Sequence, residues 1–242
     1  MTRFVLRPGL EAAAFAAEYA REGRLQILNF LRHDSAMTLF RELAGSNAWR
    51  LAVNRGEEVL DLAVEEMAAW PADRRAAMEE AVIEGGRHAF QFRYETIRLP
   101  EYGSGWQEGT APLLRAFSDF MCSAELMEFM RTLTGAQDIT FADAHASRYR
   151  AGHFLTAHDD LNQGMGRRAA YVLNLTPQWR PDWGGMLQFY DDRGNILRGF
   201  MPAFNTLNIF RVPQPHSVSW VTPLAGAPRF AVTGWLRVGT RS

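Results

Sequence analysis

Apolar and small residues recur at helical spacing over residues 9–22, an alanine-rich stretch that closes on Gly23. Glycine there suits the left-handed turn that ends a helix. Leu25 to Phe30 then reads as a short strand. Asp34 suits a helix N-cap, followed by Met37, Leu39, Phe40 and Leu43, with Gly45 as the stop. Pro71 fits the first turn of a helix running to about Glu84, ended by Gly85-Gly86. Two further helices are predicted over 111–122 and 124–134, the second capped by Ser123 and ended by Gly135.

Beyond Gly135 the pattern changes to strand-like runs separated by turn residues. They cover about 138–150, 153–158, 168–175, 185–190, 195–200, 206–211, 215–221 and 229–238. Asp191 to Asn195 reads as a hairpin turn, and Pro202 to Asn205 as another. Eight short strands at this spacing predict a β-sandwich or jelly roll. No internal repeat and no low-complexity linker interrupts the chain. The expectation is one α+β domain over 1–242 with a mainly β core. In it, 1–135 forms a mostly helical buttress and 136–242 the jelly roll.

Composition narrows the chemistry. The chain has 242 residues, 47% hydrophobic and 22% charged, which is globular rather than disordered composition. Net charge is -1, so no global basic field exists to hold nucleic acid. All 26 basic residues are arginine, which excludes lysine Schiff bases and a Walker-A lysine. Cys122 is the single cysteine, so no intramolecular disulfide forms. No apolar run approaches the roughly 20 residues of a membrane span, and the first residues lack a signal-peptide core. A cytoplasmic protein that does not engage membranes is expected.

Three segments carry candidate chemistry. In an extended 153–160, His158 and Asp160 share a face while Asp159 points away. A lone His-x-Asp is weak evidence, since a surface histidine beside solvated aspartates looks the same. His216, between the strand Thr206 to Phe210 and another apolar run, adds a third donor. Two histidines and one carboxylate on a β-scaffold make the facial arrangement that leaves open positions on Fe(II). His33, His88, His145 and His153 lack fitting partners and read as non-ligands. Arg229 shares a strand face with Ala231 and Thr233, so a guanidinium and a hydroxyl together grip a carboxylate end. A rim arginine on an edge strand is the plainer reading of that segment alone.

Taken together, the sequence resembles the Fe(II)- and 2-oxoglutarate-dependent dioxygenases, in their prolyl-4-hydroxylase-like branch. The matching stretches are Tyr149 to Leu155, His158-Asp159-Asp160, Tyr171 to Leu175, Trp183 to Leu187, His216-Ser217-Val218 and Arg229 to Trp235. The resemblance implies a double-stranded β-helix with Fe(II) held by His158, Asp160 and His216. It implies that Arg229 binds the distal carboxylate of 2-oxoglutarate with help from Thr233. Tyr149 and, less directly, Tyr171 are expected near that co-substrate, although register within its strand can instead turn Val172 inward. The interval from His216 to Arg229 is a few residues longer than is usual in the branch, and Arg237 is the rival anchor. The implied reaction consumes O2 and 2-oxoglutarate, releases succinate and CO2, and hydroxylates a C–H bond, with ascorbate as a candidate reductant. The substrate, a prolyl or other protein residue or a free small molecule, is not named by the sequence. The rival readings are a metal-dependent hydrolase, a non-catalytic jelly-roll binding protein, and a nucleic-acid repair oxygenase, the last disfavoured by the neutral charge. The glycine-rich 102–110 stretch reads equally as a lid or an ordinary loop.

Overall fold

The computed structural model describes residues 4–99 and 112–239; the 102–110 stretch lies outside them. In chain order the elements begin α1 (Ala13–Glu22), β1 (Arg24–Leu28) and α2 (His33–Gly45). A hairpin of β2 (Arg50–Arg55) and β3 (Glu58–Ala63) precedes α3 (Val64–Ala68), α4 (Ala72–His88) and β4 (Phe92–Arg98). Then come α5 (Pro112–Met121), α6 (Ala124–Thr134), β5 (Phe141–Ala142), β6 (His145–Tyr149) and β7 (Phe154–His158). The chain finishes with β8 (Arg167–Asn174), β9 (Leu187–Tyr190), β10 (Ile196–Phe200), β11 (Thr206–Arg211), β12 (His216–Val218) and β13 (Arg229–Arg237).

The strands lie in the order β1-β11-β8-β13-β6-β4-β7-β12-β9-β10, a sheet that curls into a near-closed antiparallel barrel. β4 is the hinge of that curl. Its Glu95–Arg98 half pairs β6, while Phe92 and Arg93 pair β7. At the other seam Gln26 of β1 donates to the Met201 carbonyl, 3.2 Å, just past β10. The double-stranded β-helix expected from the resemblance is therefore present, with one revision. The first 135 residues are not only a helical buttress, because β1 and β4 are members of the barrel and β2–β3 extends it. Periodicity did not mark β2, β3 and β4. In β4 the alternation is blurred: Glu95, Thr96 and Ile97 are all buried in succession.

The helices cover one face. Leu39, Phe117 and Met130 pack with Tyr171, Leu173 and Val232 into one apolar core. Each such side chain contributes about 1.5–3 kcal/mol on burial. A smaller cluster of Phe189, Phe200 and Phe210 fills the other side of β8 and β11. Ser123 caps α6 by accepting from the Leu126 N–H at 3.3 Å, and Gly135 closes it at φ 74°. Three helix boundaries differ from expectation, the first being α1, which begins at Ala13 rather than near residue 9. α2 starts at His33 with Arg32 in the cap position, two residues earlier, so Asp34 sits inside the first turn. α4 runs through Gly85-Gly86 because those glycines admit Gln91; a Cβ on Gly85 would lie 2.5 Å from its Oε1. Among the described residues no helix is long and apolar enough to cross a membrane.

Candidate active site

β7 and β12 are neighbours, and His158 and His216 are register partners on them. Each ring is fixed by the same local device. His158 Nδ1 lies 3.0 Å from the Thr156 carbonyl and His216 Nδ1 2.8 Å from the Gln214 carbonyl. A carbonyl only accepts, so Nδ1 carries the proton and each Nε2 keeps its lone pair. Asp160 faces both lone pairs: its oxygens lie 3.4 Å from His158 Nε2 and 3.5 Å from His216 Nε2. The three donor atoms fall within 4.8 Å of one another. That spacing suits one ion bound at about 2.0–2.2 Å from each.

The reason they converge differs from the strand-parity argument. β7 ends at His158, and Asp160 sits at φ 63°, in a turn. The turn, rather than alternation, swings the Asp160 carboxylate back over its own strand. Arg167 braces it, donating from Nη1 to the Asp160 carbonyl at 3.0 Å. Asp159 is exposed, and its carboxylate accepts from the Leu161 N–H at 2.9 Å. Burial pushes the Asp160 carboxyl up, but the His158 and His216 imidazoles beside it more than offset that and hold it below the usual carboxylate range. Burial and the neighbouring His158 push His216 down to about 4, against the pull of Asp160. The site therefore presents one carboxylate and two imidazole nitrogens, the donor set that a divalent transition metal takes.

Arg229 lies in the same cavity, 2% exposed, paired in register with Tyr149 of β6. Its Nη2 donates to Asn174 Oδ1 at 3.2 Å, while Nε and Nη1 have no partner among the described residues. Burial lowers its pKa to about 10, so it stays charged at neutral pH. A buried guanidinium with two orphan donors is costly by itself and fits an anionic ligand. Tyr149 lies beneath it, ring centre 5.2 Å from the guanidinium carbon, and stacks on Tyr94 at 5.2 Å. Thr233 also lines the cavity, but its hydroxyl donates to the Tyr171 carbonyl at 2.9 Å. It can donate to a carboxylate only after rotating away.

Two sequence expectations resolve here. Tyr171 does not reach the cavity; it points to the helix-side core and its hydroxyl donates to the Asp143 carbonyl at 2.7 Å. Alternation along β8 turns Val172 inward instead, opposite Thr233. Arg237 is likewise elsewhere. A register shift after Leu236 takes it out of step with Arg229, and it pairs with Asp143 at 3.2 Å. With the longer hairpin before it, Arg229 still lines the cavity. Among the other histidines, His33 packs on Phe204, His88 pairs with Glu84 and His153 accepts from the Arg150 N–H.

The cavity measures about 570 Å³, the size of a small-ligand site. Sequence reasoning missed several of its residues. His145 lines it beside Trp235 and Tyr94. Arg167 lies over the Trp235 indole at 3.7 Å. Trp235 was legible from its shared parity with Arg229 and Thr233. His145 and Arg167 gave no such signal, because the partners that set them in place come from distant strands.

These features define a double-stranded β-helix enclosing a two-histidine, one-carboxylate metal site beside a buried anion-seeking arginine. Residues 144–237 match the profile of the 2OG-Fe(II) oxygenase superfamily. Over those residues the chain is similar to that superfamily, and prolyl hydroxylases are among its relatives. It is 31% identical to the prolyl 3-hydroxylase OGFOD1 of Xenopus laevis over 118 residues, 46% of this chain and 22% of that protein. It is 24% identical to the prolyl 3-hydroxylase sudestada1 of Drosophila melanogaster over 165 residues, 62% of this chain and 30% of that protein. The chain thus spans less than a third of the length of the curated relatives it matches. Among solved structures, a Pseudomonas putida prolyl-4-hydroxylase superposes with a TM-score of 0.60 at 20% identity, covering 95% of this chain and all of that one. A Trichoplax adhaerens prolyl hydroxylase gives 0.59 at 18%, covering 93% of this chain and 89% of that one. At such identities these two speak for the fold alone.

Proposed function

We propose that this chain hydroxylates a C–H bond of an amino-acid residue within a peptide or protein, a prolyl residue first, with conversion of 2-oxoglutarate to succinate and CO2. The observation that carries the proposal is one cavity holding both the His158, Asp160, His216 donor set and the unpartnered donors of Arg229. When bound there, Fe(II) and 2-oxoglutarate supply the oxygen activation that no side chain can. His158 and His216 hold their lone pairs toward the metal because their Nδ1 protons are engaged by carbonyls. Asp160 adds the anionic ligand. Arg229 orients the co-substrate by its distal carboxylate, and Tyr149, Val172 and Phe210 keep water from the walls.

The mouth supports a peptide rather than a small polar molecule. Val59, Phe90 and Leu161 line it yet remain 51%, 44% and 58% exposed. An apolar rim of this kind matches apolar side chains flanking a target residue. The names of the curated relatives point the same way. A metal-dependent hydrolase or a non-catalytic jelly-roll binder has no use for a buried, unsatisfied Arg229. A cytoplasmic setting belongs to the same proposal, since a one-cysteine chain has no internal disulfide to maintain.

The test is anaerobic loading with Fe(II) and 2-oxoglutarate, then exposure to O2 with proline-containing peptides or free amino acids. Succinate formed in step with a peptide gaining one oxygen is the expected result. Turnover with free amino acids alone would redirect the substrate class, and no binding of 2-oxoglutarate would remove the reading.

A further inference from the structure

We propose that Asn174 is a positioning residue for the co-substrate anchor: it aims the Arg229 guanidinium and, being an uncharged amide, leaves that charge free for the distal carboxylate of 2-oxoglutarate. The inference rests on the function proposed above. Asn174 ends β8 and is fully buried between β11 and β13, in register with Thr206 on one side and Ala231 on the other. Its Nδ2 donates to the Thr206 carbonyl at 3.2 Å. A carbonyl cannot donate, so the amide has one orientation, with Oδ1 turned toward Arg229. There it accepts from Nη2 at 3.2 Å.

Oδ1 is the one protein acceptor that the guanidinium has among the described residues. Among those residues Nε and Nη1 remain without a partner, and no carboxylate stands close enough to pair with the guanidinium. The stem is confined as well. Gly185 lets the backbone after Trp183 come against it, so that a Cβ there would lie 3.5 Å from Arg229 Cδ. The fork is thus tethered at one nitrogen and open at two others. An aspartate at 174 would accept the same hydrogen bond but would pair with the guanidinium as an ion. A carboxylate ligand would then have to displace it. The amide holds the direction of the fork without competing for its charge.

The experiment uses Mn(II)-loaded protein under anaerobic conditions, with 2-oxoglutarate binding read by calorimetry. A second ligand, 2-oxovalerate, has the same keto-acid end but lacks the distal carboxylate. Asn174→Leu should weaken 2-oxoglutarate five- to tenfold, and Asn174→Asp more than the leucine variant does. Both should leave Mn(II) affinity and 2-oxovalerate binding within twofold of wild type. In turnover, KM for 2-oxoglutarate should rise while kcat at saturation holds within twofold. Asn174→Ser, smaller and neutral, replaces either variant that fails to fold and should behave like leucine. Equal losses for both ligands would reduce Asn174 to a packing residue and overturn the proposal. So would an aspartate variant that binds 2-oxoglutarate as well as wild type. Failure of wild type to bind 2-oxoglutarate would instead strike the function proposed above, which separates the two.

Discussion

His158 and His216 face each other across the β7–β12 ladder with ring centres 4.1 Å apart. Phe210 backs the second ring at 4.5 Å, and Phe90 stands 5.2 Å from the first. These contacts and the two Nδ1 hydrogen bonds orient both imidazoles before any ion arrives.

Removal of the third donor tests that geometry. Asp160→Ala should cut Fe(II) or Mn(II) affinity at least tenfold and abolish coupled hydroxylation, because two neutral imidazoles are left to hold the ion. Asp159→Ala should keep most activity, since its carboxylate is exposed and only accepts from the Leu161 N–H. Anaerobic Mn(II) titration followed by paramagnetic resonance measures both. Equal losses would mean that the turn at Asp160 does not separate the two carboxylates.

Arg229→Ala should weaken 2-oxoglutarate at least about tenfold, since each 1.4 kcal/mol is tenfold and a charged hydrogen bond contributes about 1.5–3 kcal/mol. Metal affinity should hold. Arg229→Lys keeps charge but loses the fork, so an intermediate loss is expected. Arg237→Ala should leave co-substrate affinity near wild type. Its cost falls on stability instead, because it strips Asp143 of its ion pair in a buried setting. Binding titrations with each variant, set beside urea unfolding, separate the two effects.

Acid should destabilise the fold through histidines that are not metal ligands. Burial, then the field of Arg98, depresses His145 from 6.5 to about 4, with Asp160 opposing; burial and Arg93 depress His153 to about 3. Both stay neutral in the folded chain but bind a proton near pH 6.5 once unfolded. Stability is therefore full above about pH 6.5 and falls as pH drops toward 4. Each pH unit crossed is worth about 1.4 kcal/mol per histidine. Urea unfolding of metal-free protein at pH 7.5 and 5 measures the slope. His145→Leu should flatten it by one histidine's share; an unchanged slope would show that His145 is not neutral when folded.

A fragment of residues 136–242 should neither fold nor bind metal. It lacks β4, so β6 and β7 each lose a neighbour, and it uncovers the core face of Leu173 and Val232. Circular dichroism and Mn(II) titration of the fragment decide the matter. Wild-type metal affinity in it would show that the second half is self-sufficient.

The metal donors and Arg229 were legible only from several segments taken together, and Tyr149 only through the family resemblance those segments carry. Strand runs after Gly135 were legible because they carry strong local patterns. Tyr171 was not, since a one-residue change of register exchanges it with Val172, and register is set by β13 across the ladder. β4 escaped because it is buried on both faces, which removes alternation. Asn174 was visible as part of a motif but not as a partner of Arg229, 55 residues away.

The placement of β4 also fixes when the site can come into being. β4 waits for β6 and β7, whereas β1, near the start, pairs with β11, and Leu31 with Asn205 across 174 residues. Closing loops of that span is slow compared with local helix formation. A chain emerging from the ribosome forms its early helices long before His216 and Arg229 are made. Until β11 is made, the edge of β1 has no strand to cover it. The nascent chain thus carries an open sheet edge through most of its synthesis, and the metal pocket is among the last features to form.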